Sequence, residues 1–243
     1  MSNSFSIGAP ELLNHWWRRI CRHPIRGGNT IKFDELFDQA APLIAAGEHA
    51  RDVPPSEGGR WPVSVILPAS TAFLDELTVE TAELAGPGHW QTGQLGSAHF
   101  TVRALEGYRA EIPADDLAVQ RYLSAMRRAG TGPFRMRVTG LTLTPGSVMA
   151  SVEAVDSAAD EYLDRLAEEL GPDAWFERPH GRRDIWYSNL LHFTGDIPAP
   201  AKLIDWVAER RSLAGDELVI PAAELVRFRL VGGDRPHMRP VTL

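Results

Sequence analysis

Gly96-Ser97-Ala98-His99-Phe100-Thr101-Val102 and Asn189-Leu190-Leu191-His192-Phe193-Thr194-Gly195 carry the same tripeptide, His-Phe-Thr, in two runs that read as β-strands. Side chains alternate between the faces of a strand, so His and Thr at i and i+2 share one face while Phe enters the other. Each copy then presents an imidazole beside a hydroxyl, with an aromatic anchor behind them. Two such strands facing each other supply two titratable imidazoles and two hydroxyls, a set suited to general acid–base work on a phosphodiester. A single His-x-Thr has little meaning, since a chain with eight histidines yields about one chance match. The other six, His15, His23, His49, His89, His180 and His237, give none. The competing reading is a pair of half-buried strand histidines satisfied by their neighbours.

Around the two runs the elements alternate. Upstream of the first, residues 61–67 form a strand ended by Pro68, and Ser70 caps a helix over 71–84 that Pro87-Gly88 breaks. Residues 115–128 read as a helix closed by Gly130. Residues 134–138 and 141–143 read as strand, and Pro145-Gly146 turns the chain into a returning strand over 147–154. Ser157 starts a helix over 158–170, stopped by Gly171-Pro172. After the second run come a helix over 198–211, with Leu203, Ile204, Trp206 and Val207 inward, and closing strands at 218–220 and 226–231. Two weakly similar units, each with helices and a central His-x-Thr strand, suggest an internal duplication. Helices mixed with strands and at least one hairpin give an α+β class rather than a doubly wound parallel sheet.

The first 59 residues read as a helical N-terminal extension and linker to a domain over 60–243. Residues 10–21 form a short amphipathic helix carrying Trp16 and Trp17, and residues 34–46 a second, interrupted or restarted at Pro42. Arg26-Gly27-Gly28-Asn29 is a turn between them, and residues 52–59, dense in Pro, Gly and charge, are the best linker candidate.

The net charge of −7 argues against a surface that tracks long nucleic acid, although a small anionic substrate in a locally basic pocket remains compatible. The lone Cys21 favours a reducing compartment, the N-terminus lacks the features of a signal peptide, and no apolar run suits a membrane helix. A soluble, cytoplasmic protein is expected. Neither a Gly-x-Ser-x-Gly elbow nor a Walker-type loop occurs, and no His-x-x-x-His or Cys-x-x-Cys spacing suggests a metal.

Over residues 60–243 the paired motifs at His99-Phe100-Thr101-Val102 and His192-Phe193-Thr194-Gly195 resemble those of the 2H phosphoesterase superfamily, which includes the 2′-5′ RNA ligase-like proteins and cyclic nucleotide and RNA-end phosphodiesterases. The resemblance implies a bilobal, duplicated fold: two antiparallel sheets flanked by helices, with the motif strands facing across a central cleft. It implies catalysis without metal or cofactor, one of His99 and His192 acting as base and the other as acid, with Thr101 and Thr194 holding phosphoryl oxygens. The substrate class is a 2′,3′-cyclic phosphodiester of a nucleotide or RNA end, or a 2′-5′ linkage; ligation by the reverse reaction and a non-catalytic nucleotide- or RNA-binding module are the alternatives.

In several relatives of that kind a basic residue follows the second motif, whereas Gly195-Asp196 stands here. Arg103, two residues beyond Thr101, is the preferred replacement, with a surface arginine at a strand end as its competing reading. Tyr108 and Tyr187, the latter beside Trp186, are candidates to stack on a base, though strand-flanking aromatics more often belong to the core. His180, Arg182 and Arg183 form a basic loop, either phosphate-gathering or simply solvated. Arg235 and His237, in a Pro-rich tail, either reach the cleft or cover a sheet edge.

Overall fold

The computed structural model describes residues 29–181 and 183–243. The expected helix over 10–21, the Trp16-Trp17 pair, Cys21, residues 26–28 of the expected turn and Arg182 lie outside these residues.

Two four-stranded antiparallel sheets organise the molecule. Strands β1 (Val63–Pro68), β2 (His99–Glu106), β7 (Glu224–Val231) and β8 (His237–Thr242) form the first, in the order β2-β1-β7-β8. Strands β3 (Phe134–Thr144), β4 (Ser147–Ala154), β5 (Trp186–His192) and β6 (Glu217–Ile220) form the second, in the order β5-β4-β3-β6. The fold is α+β, as its alternating elements predict. The sheets do not follow the two halves of the sequence, however. The β3–β4 hairpin joins the second motif strand, and the chain returns through β7 and β8 to complete the first sheet. Each motif strand is therefore the edge of its sheet, and the two edges adjoin.

Helices α2 (Ala72–Ala85), α3 (Leu117–Ala129), α4 (Ala158–Leu170) and α5 (Pro200–Ala208) share the main core with the strands. That core holds Phe100, Val102, Met136, Leu143, Val148, Leu191 and Phe193, all buried. Thr71, not Ser70, caps α2: its hydroxyl accepts from Leu74 N–H at 3.2 Å. Asp116 caps α3, accepting from Ala118 and Val119 N–H. Ser157 stands at the start of α4 but turns its hydroxyl to Glu161, and Asp156 accepts the Ala158 N–H instead.

Helix α1 (Asn29–Ala45) runs through Pro42 without a break, against the expectation of an interruption. The carbonyl that Pro42 leaves without its helical N–H partner belongs to Asp38, an exposed residue. Phe33 and Leu36 of α1 pack with Met149 and Tyr187 of the second sheet and with Ile185 just before β5, and Thr142 donates to the Phe33 carbonyl. The residues after α1 then run beside the second motif: Ala50 N–H bonds the Pro145 carbonyl and Asp52 N–H the Phe193 carbonyl. Residues 57–59 lie along the loop after β2, with Gly58 and Gly59 bonded to Tyr108 and the Glu57 carboxylate accepting from Ala110 N–H. The stretch whose composition reads as a linker is thus held against the body of the protein. Among the described residues no helix is long and apolar enough to cross a membrane.

Candidate active site

The loop leading into the first motif joins the two edge strands. Trp90 exchanges both backbone hydrogen bonds with His192, at 3.0 and 2.9 Å, and Gly93 N–H donates to the Leu190 carbonyl at 3.0 Å. Glycine is required there by close approach. A Cβ on Gly93 would stand 2.1 Å from Thr78 Oγ1 and 2.9 Å from Leu190 Cα.

In β2 the alternation behaves as expected through the motif. Phe100 faces the main core, while Thr101 pairs with Ile66, which belongs to a second cluster with Trp61, Trp90 and Phe228. In β5 an extra residue between Asn189 and Leu191 shifts the register. Tyr187, Asn189 and His192 consequently stand opposite Ser151, Met149 and Ser147, on the side away from the main core. The strand ends at His192, so Phe193 and Thr194 lie just beyond it.

His99 is buried, and its Nδ1–H donates to the Ser97 carbonyl at 2.7 Å, which leaves the Nε2 lone pair for a ligand. Burial pushes its pKa down to about 4, against the opposing pull of the Ser97 bond; the charges of His192 and Arg183 add to the depression. His99 is therefore a neutral base at pH 7. The two imidazoles thus lie within electrostatic reach of each other. A chain of rings also connects them: Phe228 lies 5.1 Å from His99 and 5.5 Å from Trp61, and Trp61 lies 4.7 Å from His192.

His192 is 1% exposed, and its Nε2 has no hydrogen-bond partner among the described residues. Its Nδ1 lies 3.2 Å from Asp52 Oδ2 and 3.4 Å from Arg60 Nη2. Asp52 Oδ2 makes no aligned hydrogen bond among the described residues, and its contact with His192 becomes a charge pair when the imidazole is protonated. Arg60 also pairs with Asp52 through Nη1 and lies over the Trp61 ring, 5.5 Å from its centroid. Burial holds the His192 pKa below the ordinary imidazole value, Asp52 opposes that shift and Arg60 adds to it. Burial alone would raise the Asp52 pKa, but His192 and Arg60 outweigh it and keep the carboxyl ionised at neutral pH.

The threonines differ. Thr101 is half-buried beside His99. Thr194 donates its hydroxyl hydrogen to the Gly88 carbonyl at 2.8 Å and its backbone N–H to His89 Nδ1 at 3.1 Å. His89 Nε2–H in turn donates to the Ala85 carbonyl at 3.1 Å, which fixes its neutral tautomer. Phe193 is fully buried between the His49 and His89 rings, at 5.4 and 5.8 Å, and anchors the second motif.

The further candidates fall in different places. A bulge sets Val102 and Arg103 opposite Val65, so Arg103 leaves the face of Thr101 and donates to the Ala174 carbonyl at 3.3 Å. Tyr108 is half-buried against the Trp61–Phe228 cluster. Tyr187 is buried under α1, where its hydroxyl accepts from Arg183 at 3.3 Å. Trp186 is a core residue whose indole N–H donates to Asp160 at 3.0 Å. Arg183 is ion-paired with Glu177 at 2.7 Å rather than solvated. Asp196 pairs with Arg51 and points to solvent. His237 lies on β8, whose pairing with β7 makes it the far edge of the first sheet.

The residues that sequence reasoning misses here are Asp52, Arg60, Trp61 and Phe228. Asp52 and Arg60 sit at the ends of a Pro/Gly-rich stretch, and no local pattern links them to a strand some 140 positions away.

No protein-family model matches the chain, and no curated protein matches it. Among solved structures, TT0787 of Thermus thermophilus is similar at 20% identity and a TM-score of 0.48, covering 74% of this chain and 94% of that one. A structure described as a phosphoesterase is similar at 11% identity and a TM-score of 0.42, covering 74% and 96%. The conserved protein ATU0111 of Agrobacterium tumefaciens str. C58 is similar at 19% identity and a TM-score of 0.42, covering 84% and 97%.

Proposed function

We propose that this protein is a phosphoesterase whose two histidines hydrolyse a 2′,3′-cyclic phosphodiester of a nucleotide or RNA end, or a 2′-5′ linkage. The observation that carries the reading is the pairing of two imidazoles on adjoining edge strands, each with Nδ1 engaged by the protein: His99 by the Ser97 carbonyl, His192 by Asp52 and Arg60. A surface with no catalytic task has no need of two buried imidazoles whose Nε2 atoms are left to a ligand.

His99 is the base. Its Nε2 takes a proton from water as the water oxygen bonds to phosphorus, and the bond from phosphorus to the departing ribose oxygen breaks. His192, protonated at both nitrogens, gives its Nε2 proton to that oxygen, and the product is a phosphomonoester. Bound phosphate favours the charged form of His192 by direct attraction. Thr101 holds a phosphoryl oxygen through its hydroxyl. Thr194 does the same after its hydroxyl rotates away from Gly88. Since His192 Nε2 is covered, substrate entry displaces a covering group, and the Trp61 ring lies against that imidazole. Tyr108, beside the same cluster, is the aromatic placed to meet a base. The acidic balance of the chain restricts the substrate to a small nucleotide or an RNA end.

The test is turnover of 2′,3′-cyclic nucleotides and a 2′-5′ dinucleotide in the presence of a chelator, with products identified by phosphorus NMR. Hydrolysis to a monoester is expected to survive the chelator and to fall by about 10²–10⁴ in His99→Ala and in His192→Ala. Binding without turnover, or activity that both substitutions leave intact, overturns the proposal.

A further inference from the structure

We infer that Asp52, delivered from the segment before the first sheet, is the positioning residue that equips His192 to carry and release a proton, with Arg60 as its counterweight. The inference rests on the two-histidine reading above and extends it to a residue outside both motifs.

Four observations support it. Asp52 is buried, with a side chain 3% exposed, and a carboxylate is not taken out of water without a charged partner. Its Oδ2 lies 3.2 Å from His192 Nδ1, the nitrogen opposite the one left for a ligand. Its own backbone N–H is bonded to the Phe193 carbonyl at 2.6 Å, so the carboxylate is fixed to the motif it serves. Finally, Trp61 adopts φ 75°, a left-handed conformation that a non-glycine residue holds only under strain. That turn lets Arg60 reach Asp52 while the indole lies against His192.

Among the described residues, the charged and titratable groups that act on His192 are Asp52 and Arg60 from the preceding segment, with His99 from β2 within electrostatic reach. Ser147 stands opposite it on β4, and the loop before β2 meets it through the Trp90 backbone. Asp52 favours the imidazolium and Arg60 disfavours it. Replacing one or the other therefore moves the proton affinity of His192 in opposite directions.

The experiment follows the His192 imidazole by nitrogen-15 NMR as a function of pH in the full chain, beside the pH dependence of kcat/KM on a 2′,3′-cyclic nucleotide. Asp52→Asn is expected to lower the His192 midpoint by about one pH unit or more, with little change at His99. The alkaline limb of the rate profile moves to lower pH by the same amount, and kcat at pH 7 falls about tenfold or more while KM changes little. Asp52→Glu restores the midpoint in part, and Arg60→Gln raises it. A His192 midpoint unmoved by Asp52→Asn overturns the inference. If Asp52→Asn does not fold, an unmoved midpoint in Arg60→Gln overturns it equally. Absence of turnover in the wild-type protein defeats the phosphoesterase reading instead, and the imidazole titration still decides the role of Asp52.

Discussion

His99 and His192 are the same residue in the same tripeptide, yet their surroundings give them different proton chemistry. A backbone carbonyl engages one Nδ1, and a carboxylate with a guanidinium engages the other. The sign of the pH response follows. The base must be neutral, so kcat/KM rises with pH through the His99 pKa near about 4. The acid must be protonated, so kcat/KM falls as pH rises through the His192 pKa, which burial holds below the usual value of about 6.5. The expected profile is a bell with its maximum on the acid side of neutrality, and kcat, which reports the bound complex, peaks at higher pH because substrate charge favours the protonated forms. A steady-state profile from pH 3.5 to 9 checks this; kcat/KM still climbing above pH 7 contradicts it. At this scale the sequence discloses the imidazoles, because the motif is local and repeated. Asp52 stays hidden because its partner is distant in the chain, and Arg103 is misplaced because a bulge reverses a face that strict alternation predicts.

Elements were legible wherever their signals are local. Helix α4 matches its expected bounds, and the Pro145-Gly146 turn makes the expected hairpin. Strand β3 is one strand rather than two, since the bulge at Gly140 carries the ladder across the gap. There a Cβ would stand 2.1 Å from the Arg211 carbonyl. Strand β8 escapes notice because Pro240 and its neighbouring arginines read as an irregular tail; proline is tolerated there because β8 is an edge. The element that matters most to the site has no regular secondary structure: the loop that ties His192 to the approach to His99. Gly93→Ala drives a methyl group into Thr78 and the Leu190 backbone, and is expected to cost about 1–3 kcal/mol. Chemical denaturation measures that loss, and activity should fall with it because Leu190 and His192 share the displaced strand. A variant of unchanged stability contradicts the close approach.

Across the whole molecule, the duplicated His-Phe-Thr becomes intelligible through topology. The first sheet takes strands from both ends of the domain and the second takes the middle, which leaves β2 and β5 as adjoining edges. The class of the fold was readable from alternating elements and a hairpin. The interleaving was not, because which strands pair over long range is decided by packing rather than by local pattern. Helix α1 and the segment to Trp61 close the arrangement, covering part of the second sheet and supplying the charges behind His192. The central claim is that two imidazoles from different sheets act on one phosphodiester as a unit. The direct measurement is kcat/KM on a 2′,3′-cyclic nucleotide for His99→Ala, His192→Ala and the double variant. Each single substitution should cost about 10²–10⁴, and the double no more than about the worse single, since groups that act together lose their effect together. Losses that multiply in the double variant, or a single variant that keeps wild-type kcat/KM, contradict the account.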